Sequence, residues 1–258
     1  MSNSENEEKE VKECIKLLGL WVQKIPKKSE KSPDFLVKCD RYSYLVELKT
    51  KFDDPAIQTA FERDLSSGGV VEEIYSTGRQ NAISKVISSA CKQLIMGETE
   101  VDFKVVWLHA KGHHPDFQMY DFESTLYGHE VIVDRGKDDG FSGFCYHYSN
   151  SDFYNHRKVL DGAVVSTSDE MKLCLNVCSP RYYLFRESRF REVFEEGVLD
   201  PIELERNGDA LIVDSDVDRR DEVAVMRYVV DKYNLKKAMK MPMQQISASV
   251  LVPDKGKI

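Results

Sequence analysis

The stretch Ser32-Pro-Asp-Phe-Leu-Val-Lys-Cys-Asp-Arg-Tyr-Ser-Tyr-Leu-Val-Glu-Leu-Lys-Thr50 decides the fold. Pro33 to Lys38 and Tyr42 to Thr50 read as two strands, joined by a turn across Cys39-Asp-Arg-Tyr42. Folded about the Asp40–Arg41 midpoint, this hairpin sets Asp34 opposite Glu47. Side chains alternate along a strand, so Leu45, Glu47 and Lys49 share one face and Tyr44, Val46 and Leu48 the other. Carboxylates at facing positions of a hairpin lie about 5 Å apart at Cβ and repel each other. A hard divalent cation removes that conflict. Mg²⁺ takes oxygen ligands, commonly one or two carboxylates completed by water and phosphate oxygens. The backbone carbonyl of Leu48 offers a further oxygen. Lys49 is placed to orient or deprotonate an attacking water and to balance charge on a phosphorane-like transition state. The chemistry that suits these groups is metal-assisted hydrolysis of a phosphodiester.

Outward from the hairpin, Glu8, Val11, Ile15, Leu18 and Val22 recur at steps of three and four, which predicts a helix over 5–18 stopped by Gly19. Leu20 to Ile25 alternates as a short strand ended by Pro26. Residues 51–78 read as an insertion, with a short helix near 55–65 and a Ser-Ser-Gly-Gly loop. Ile83, Val86, Ile87, Ala90 and Leu94 line one side of a helix over 79–96. Phe103 to His109 and His129 to Asp134 are further strands. The order helix, three strands, helix, strand implies an α/β protein built on a mixed sheet flanked by helices. Beyond Gly136 to Gly143, a polar Gly-rich stretch taken as a boundary, strands are expected at 159–166 and 170–178 and helices at 187–196 and 219–239. The expected organisation is a core over 1–135 and an α+β extension or second domain over 136–258, concerned with substrate selection or dimerisation.

The chain of 258 residues is long enough for one large domain or two small ones. Its 10% aromatic content argues against disorder throughout. No run of about 18 apolar residues occurs, so no membrane span is expected. The acidic, polar start is unlike a signal peptide, and a cytoplasmic location is the expectation. Thirty-six basic residues against forty-four acidic ones leave a net charge of −8. The excess is concentrated: residues 192–222 hold twelve acidic and three basic side chains. Basic clusters stand at Lys24, Lys27, Lys28 and Lys31, at Arg181, Arg186, Arg189 and Arg191, and at Arg227, Lys232, Lys236, Lys237 and Lys240. A polyanionic partner is therefore compatible with the acidic total.

The hairpin motif and its neighbours resemble the PD-(D/E)xK nuclease superfamily, with its restriction-endonuclease-like αβββαβ core. Pro33-Asp34 matches the first half of the motif and Glu47-Leu48-Lys49 the second. By that resemblance Asp34 and Glu47 are metal ligands, with the Leu48 carbonyl beside them, and Lys49 is the catalytic lysine. Many members carry a further Glu on the first helix. In archaeal-type Holliday junction resolvases it stands eleven residues before the glycine that ends the helix, and here Glu8 stands eleven before Gly19. Glu13 is the weaker candidate. Members often place a Lys or Gln on the helix after the third strand, which carries over to Gln93 and Lys85, with Lys92 an alternative. The resemblance spans residues 5–110, extending at most to 135. It implies a Mg²⁺- or Mn²⁺-dependent nuclease acting on nucleic acid, DNA first, with a homodimer expected because two strands must be cut. An inactive nuclease-like binding module and a metal-dependent RNA nuclease are the alternatives.

Other signals point less far. Cys145, His147, Cys174 and Cys178 fit no common zinc spacing and read as buried strand residues. His113-His114-Pro-Asp116 reads as a loop. Asp214-Ser-Asp216-Val-Asp218 lacks the Gly of a calcium loop, with Arg219 in its place. Tyr182, Tyr183 and Phe185 beside Arg186 and Arg189 are candidate base-stacking residues but read first as core.

Overall fold

The computed structural model describes residues 3–26, 32–52, 59, 63, 66, 70–76, 78–97, 100–112, 114–136, 140–195, 197–241 and 245–251. The first part runs α1 (Asn3–Leu17), β1 (Trp21–Lys24), β2 (Phe35–Cys39), β3 (Tyr42–Lys51), β4 (Val70–Ser76), α2 (Asn81–Met96) and β5 (Phe103–Ala110). It continues with α3 (Pro115–Tyr127), β6 (Glu130–Asp134), β7 (Phe141–Tyr146), α4 (Asp152–Asn155), β8 (Gly162–Ser166) and β9 (Met171–Leu175). Then come α5 (Tyr182–Arg186), α6 (Arg189–Glu192), β10 (Val198–Leu199), α7 (Pro201–Asn207), β11 (Ala210–Ile212), α8 (Glu222–Tyr233), β12 (Ala238–Met241) and β13 (Gln245–Leu251).

This is an α/β protein with a mixed sheet flanked by helices. Among the described residues the main sheet has seven strands, in the order β1-β2-β3-β5-β8-β9-β10. The β1, β2 and β3 segment is antiparallel, and β3, β5 and β8 run parallel. A second sheet has the order β11-β7-β6-β12, and β4 pairs with β13. Strands β8, β9 and β10 extend the main sheet from beyond residue 135, so the boundary read at the Gly-rich stretch is not a boundary of the sheet. That stretch runs instead into β7.

Parity along the strands sorts the core into two layers. On one face Phe35, Val46, Val105 and Trp107 pack with Val11 and Ile15 of α1 and with Phe185 and Phe190. On the other, Leu45, Val106 and Leu108 pack with Ile83, Ile87 and Leu94 of α2 and with Phe122 and Leu126 of α3. Helix α1 stops where the sequence predicts. Gly19 takes a left-handed φ of 76°, and the Leu20 N–H reaches back to the Ile15 carbonyl at 3.2 Å.

Several expectations needed revising. The helix over 219–239 ends at Asn234, which is left-handed at φ 51°, and the chain turns into β12. The helix over 187–196 shrinks to the single turn α6, preceded by α5. Helix α3 follows Pro115 at its first turn, where the sequence had suggested only a loop. The helix expected near 55–65 lies almost wholly outside the described residues. Within the same insertion, β4 occupies a position that the sequence reading left as a connection. Its partner, β13, is too distant in sequence for local patterns to pair them.

The insertion-side helix α2 is brought down onto the hairpin at its last turn. A Cβ on Gly97 would lie 2.8 Å from Leu45 Cδ1 and 3.1 Å from Pro33 Cγ. A side chain here would have to displace the Leu45 methyl or the Pro33 ring, and the close approach seats α2 over the start of β2. Replacing Gly97 by Val overpacks that contact and should cost about 1–3 kcal/mol of stability, read as a lower urea midpoint with an unchanged slope.

Candidate functional site

The register of the hairpin is the one its sequence implies. Phe35 pairs with Val46 and Cys39 with Tyr42, which leaves Asp34 facing Glu47 one step beyond the last pair. At that step the backbone of β2 no longer supplies an acceptor, and the Asp34 carboxylate takes over. Leu48 N–H donates to Asp34 Oδ2 at 2.9 Å. Both acids are buried, Asp34 at 7% exposure and Glu47 at 1%.

Glu47 lies on the α2 face of the sheet, between Val106 of β5 and the facing Asp34. Lys49, two residues on, shares that face. Its ammonium donates to Glu47 Oε1 and, at 2.7 Å, to Gln93 Oε1 of α2. The other carboxylate oxygen, Glu47 Oε2, is buried and receives no protein donor among the described residues, and the Asp34 carboxyl is close enough to share a hydrogen bond with Glu47 when one of the pair carries a proton. Desolvation, joined by the negative charge of Asp34, raises the Glu47 carboxyl from 4.5 to about 8, although Lys49 pulls the other way. At neutral pH the site therefore favours a proton on Glu47 when nothing else is there to balance the pair.

The structure thus brings together Asp34, Glu47, Lys49 and Gln93. It does not bring in Glu8. That side chain is buried at 4% exposure and forms an ion pair with Lys24. Its helix packs on the opposite face of the sheet from Glu47. Glu8 faces the sheet as its helical spacing implies, but β2 and β3 stand between it and the Glu47 side. The alternative, Glu13, is paired with Lys16 at 2.7 Å on the helix surface. Lys85 and Lys92 are exposed along α2. Leu48 sends its side chain to the α1 layer and its N–H to Asp34. Among the described residues, no group of three or more His, Cys, Asp or Glu side chains is gathered closely enough to hold a metal ion. An ion at Asp34 and Glu47 would therefore need its remaining ligands from backbone, water or substrate.

His147 is fully buried, hydrogen-bonds Ser151 Oγ at 2.8 Å through Nδ1, and has Cys178 Sγ 3.7 Å from Nε2. Burial first, then the Arg219 charge, lowers it to about 3. Cys145 and Cys174 are buried apolar residues of the two sheets. Arg219, at the position where a calcium loop needs Gly, donates to the carbonyls of His147, Val213, Ser215 and Val217.

Several members of the charge clusters are engaged inside the molecule. Arg181 pairs with Asp161, and Arg186 with Asp200 and Glu203. Lys232 pairs with Glu205 and Asp214, and Lys240 with Glu222. Tyr182 donates to the Asp200 carboxylate, and Phe185 is core. The acidic stretch 192–222 is thus mostly structural, with Asp200 and Asp221 also capping α7 and α8. By contrast α2, which carries Gln93, has two lysines and no acidic residue.

No protein-family model, no curated protein and no solved structure matches the chain.

The raised Glu47 carboxyl has a measurable consequence. An unfolded glutamate releases its proton near 4.5, whereas the folded one holds it to about 8. Between these values the unfolded state binds fewer protons, so stability falls as pH rises. In EDTA, wild type should lose stability from about pH 5 to about pH 8 relative to Glu47→Gln, which lacks the titration. At the upper end Glu47→Gln should be more stable by about 1–2 kcal/mol, measured by urea unfolding.

Proposed function

We propose that this chain is a Mg²⁺- or Mn²⁺-dependent phosphodiester hydrolase, a DNA endonuclease of restriction, defence, mobile-element or repair type. The observation that carries the reading is the burial of two facing carboxylates, Asp34 and Glu47, with an ammonium fixed beside them. A chain with no use for that charge density would place apolar residues there at lower cost. The donor set fits a hard cation: both side chains are carboxylates, and one buried oxygen of Glu47 receives no protein donor among the described residues. Asp34 and Glu47 would hold the ion, with the Leu48 carbonyl, water and phosphate oxygens completing it. Such an ion supplies Lewis-acid polarisation of the phosphate and a more acidic water.

The chain's own groups do the positioning. Leu48 N–H fixes the Asp34 carboxylate. Gln93 and Glu47 hold the Lys49 ammonium from two sides, aimed to orient the attacking water and to offset negative charge on the transition state. Lys85 and Lys92 on the exposed side of α2 add positive charge for a phosphate backbone. The motif Pro33-Asp34…Glu47-Leu48-Lys49 and its resemblance to PD-(D/E)xK nucleases supply the substrate class. This reading retains the expected homodimer for a double-stranded cut.

One observation favours a second reading, an inactive binding module of the same design. Glu8 is engaged by Lys24 on the other side of the sheet, which leaves the proposed centre with two acidic ligands.

Purified protein incubated with supercoiled plasmid and with RNA, in Mg²⁺, Mn²⁺ or EDTA, separates these readings. Expected is metal-dependent DNA cutting lowered at least about 100-fold in Glu47→Ala and in Lys49→Ala. Cutting that survives in both variants defeats the assignment. Tight DNA binding with no cutting in any metal supports the module, and cutting of RNA alone moves the substrate class. Because metal must displace the Glu47 proton, Mn²⁺ affinity by calorimetry should rise about tenfold per pH unit from about pH 6 to about pH 8. The Glu47→Gln variant should show no such slope.

A further inference from the structure

On the α2 face of the sheet the acidic centre continues into a hollow. It lies between the first turns of α2 and the carboxyl end of β3, has a volume of about 380 Å³, and counts Lys49 among its lining residues. That volume is in the range of small-molecule sites. The strand explains the continuity. Lys49 and Lys51 follow Glu47 on one face of β3, each step of two residues advancing about 7 Å. Helix α2 runs back over the same face, so Gln93 stands at Lys49 and Ile83 and Val86 stand over the strand's end.

The floor of the hollow is core, formed by the buried side chains of Ile83, Leu108 and Phe122. The rim is different. Phe52 and Val86 are large, apolar and 48% and 40% exposed. Among the described residues that line the hollow, the only charged groups are Lys49 and Lys51. Asp121 of α3 is near enough to Lys51 to feel its charge but lies outside the lining. An occupant that suits these walls is flat and apolar at one end and negative at the other. A nucleotide is divided in that way, with an aromatic base and a phosphate. A base stacked within a duplex cannot enter a hollow, so the base must be unpaired.

We propose that the hollow holds an unpaired base of the substrate strand, stacked on Phe52, with Lys51 on the neighbouring phosphate. The placement of the attacked phosphate at Lys49 rests on the hydrolase reading above. The substrate class is then nucleic acid with an unpaired nucleotide at the cut. Single strands and duplexes with an extruded base share this chemistry.

Fluorescence anisotropy with end-labelled oligonucleotides, on full-length Glu47→Gln protein in EDTA, tests the base site without cutting. Oligothymidine of about 12 nucleotides is compared with an abasic oligomer of equal length, which keeps the backbone charge and lacks the bases. Expected is at least about fivefold tighter binding of oligothymidine. Adding Phe52→Ala should remove most of that difference and leave the abasic affinity unchanged, whereas Phe52→Trp should retain it. Lys51→Ala should weaken both oligomers alike and make their salt dependence shallower. A matched duplex that binds less tightly than the same duplex with one mismatch identifies extrusion as a source, and equal weak binding of both leaves single strands. Equal binding of oligothymidine and the abasic oligomer, no binding of either, or a preference that Phe52→Ala leaves intact overturns the proposal. Metal-dependent plasmid cutting without a base preference removes the base site and leaves the hydrolase reading standing. A base preference without cutting in any metal leaves the base site standing on a binding module.

Discussion

The repulsion between Asp34 and Glu47 is the constraint around which the hairpin end is organised. Two acids held at facing positions on adjacent strands, both nearly excluded from water, raise the energy of the folded chain unless something offsets them. The protein supplies part of the offset. Leu48 N–H stabilises one carboxylate and Lys49 the other, and Gln93 from α2 holds the lysine in place. The remainder appears as a proton retained on Glu47 to about 8. On the function proposed above, a divalent cation would take the place of that proton between the two carboxylates.

The rest of the architecture can be read as support for that placement. Pro33 and Gly97 form the contact through which the last turn of α2 meets the start of β2, and Gln93 lies one turn earlier on the same helix. The parallel pairing of β3 with β5 buries Glu47 beside Val106 and Lys49 beside Leu108. The layer of helices on the α2 face thereby surrounds the acids with apolar groups and raises the cost of their charge.

Much of this was legible in the sequence because it is local. The hairpin register follows from a four-residue turn, and with it the face shared by Glu47 and Lys49 and the opposition of Asp34. Gln93 was a candidate only through the family resemblance, beside Lys85 and Lys92, and the apolar stripe of α2 located the helix that carries all three. Glu8 shows where such reasoning stops. Helical spacing correctly turned it toward the sheet, but spacing does not say on which side of the sheet a helix packs, and Lys24 was waiting there. The extent of the main sheet was also hidden. Strands β8 to β10 join it through contacts distant in sequence, and nothing in Gly162–Ser166 alone names β5 as a neighbour. The hollow beside Lys49 was missed for the same reason, since its lining comes from β3, α2, β5 and α3.

The pairing of β4 with β13 bears on the order of assembly. The β2–β3 hairpin closes a very short loop, so half of the acidic centre can form as soon as those residues collapse. Helix α2 must then dock, but the connection that leads to it contains β4, whose partner strand lies at 245–251. Closing that contact carries the entropy of a very long loop and belongs late in folding. The β4–β13 pair is a two-stranded sheet apart from the main one, so the acidic pair, with Gln93 on α2, draws on contacts much closer in sequence than the last pairing to close.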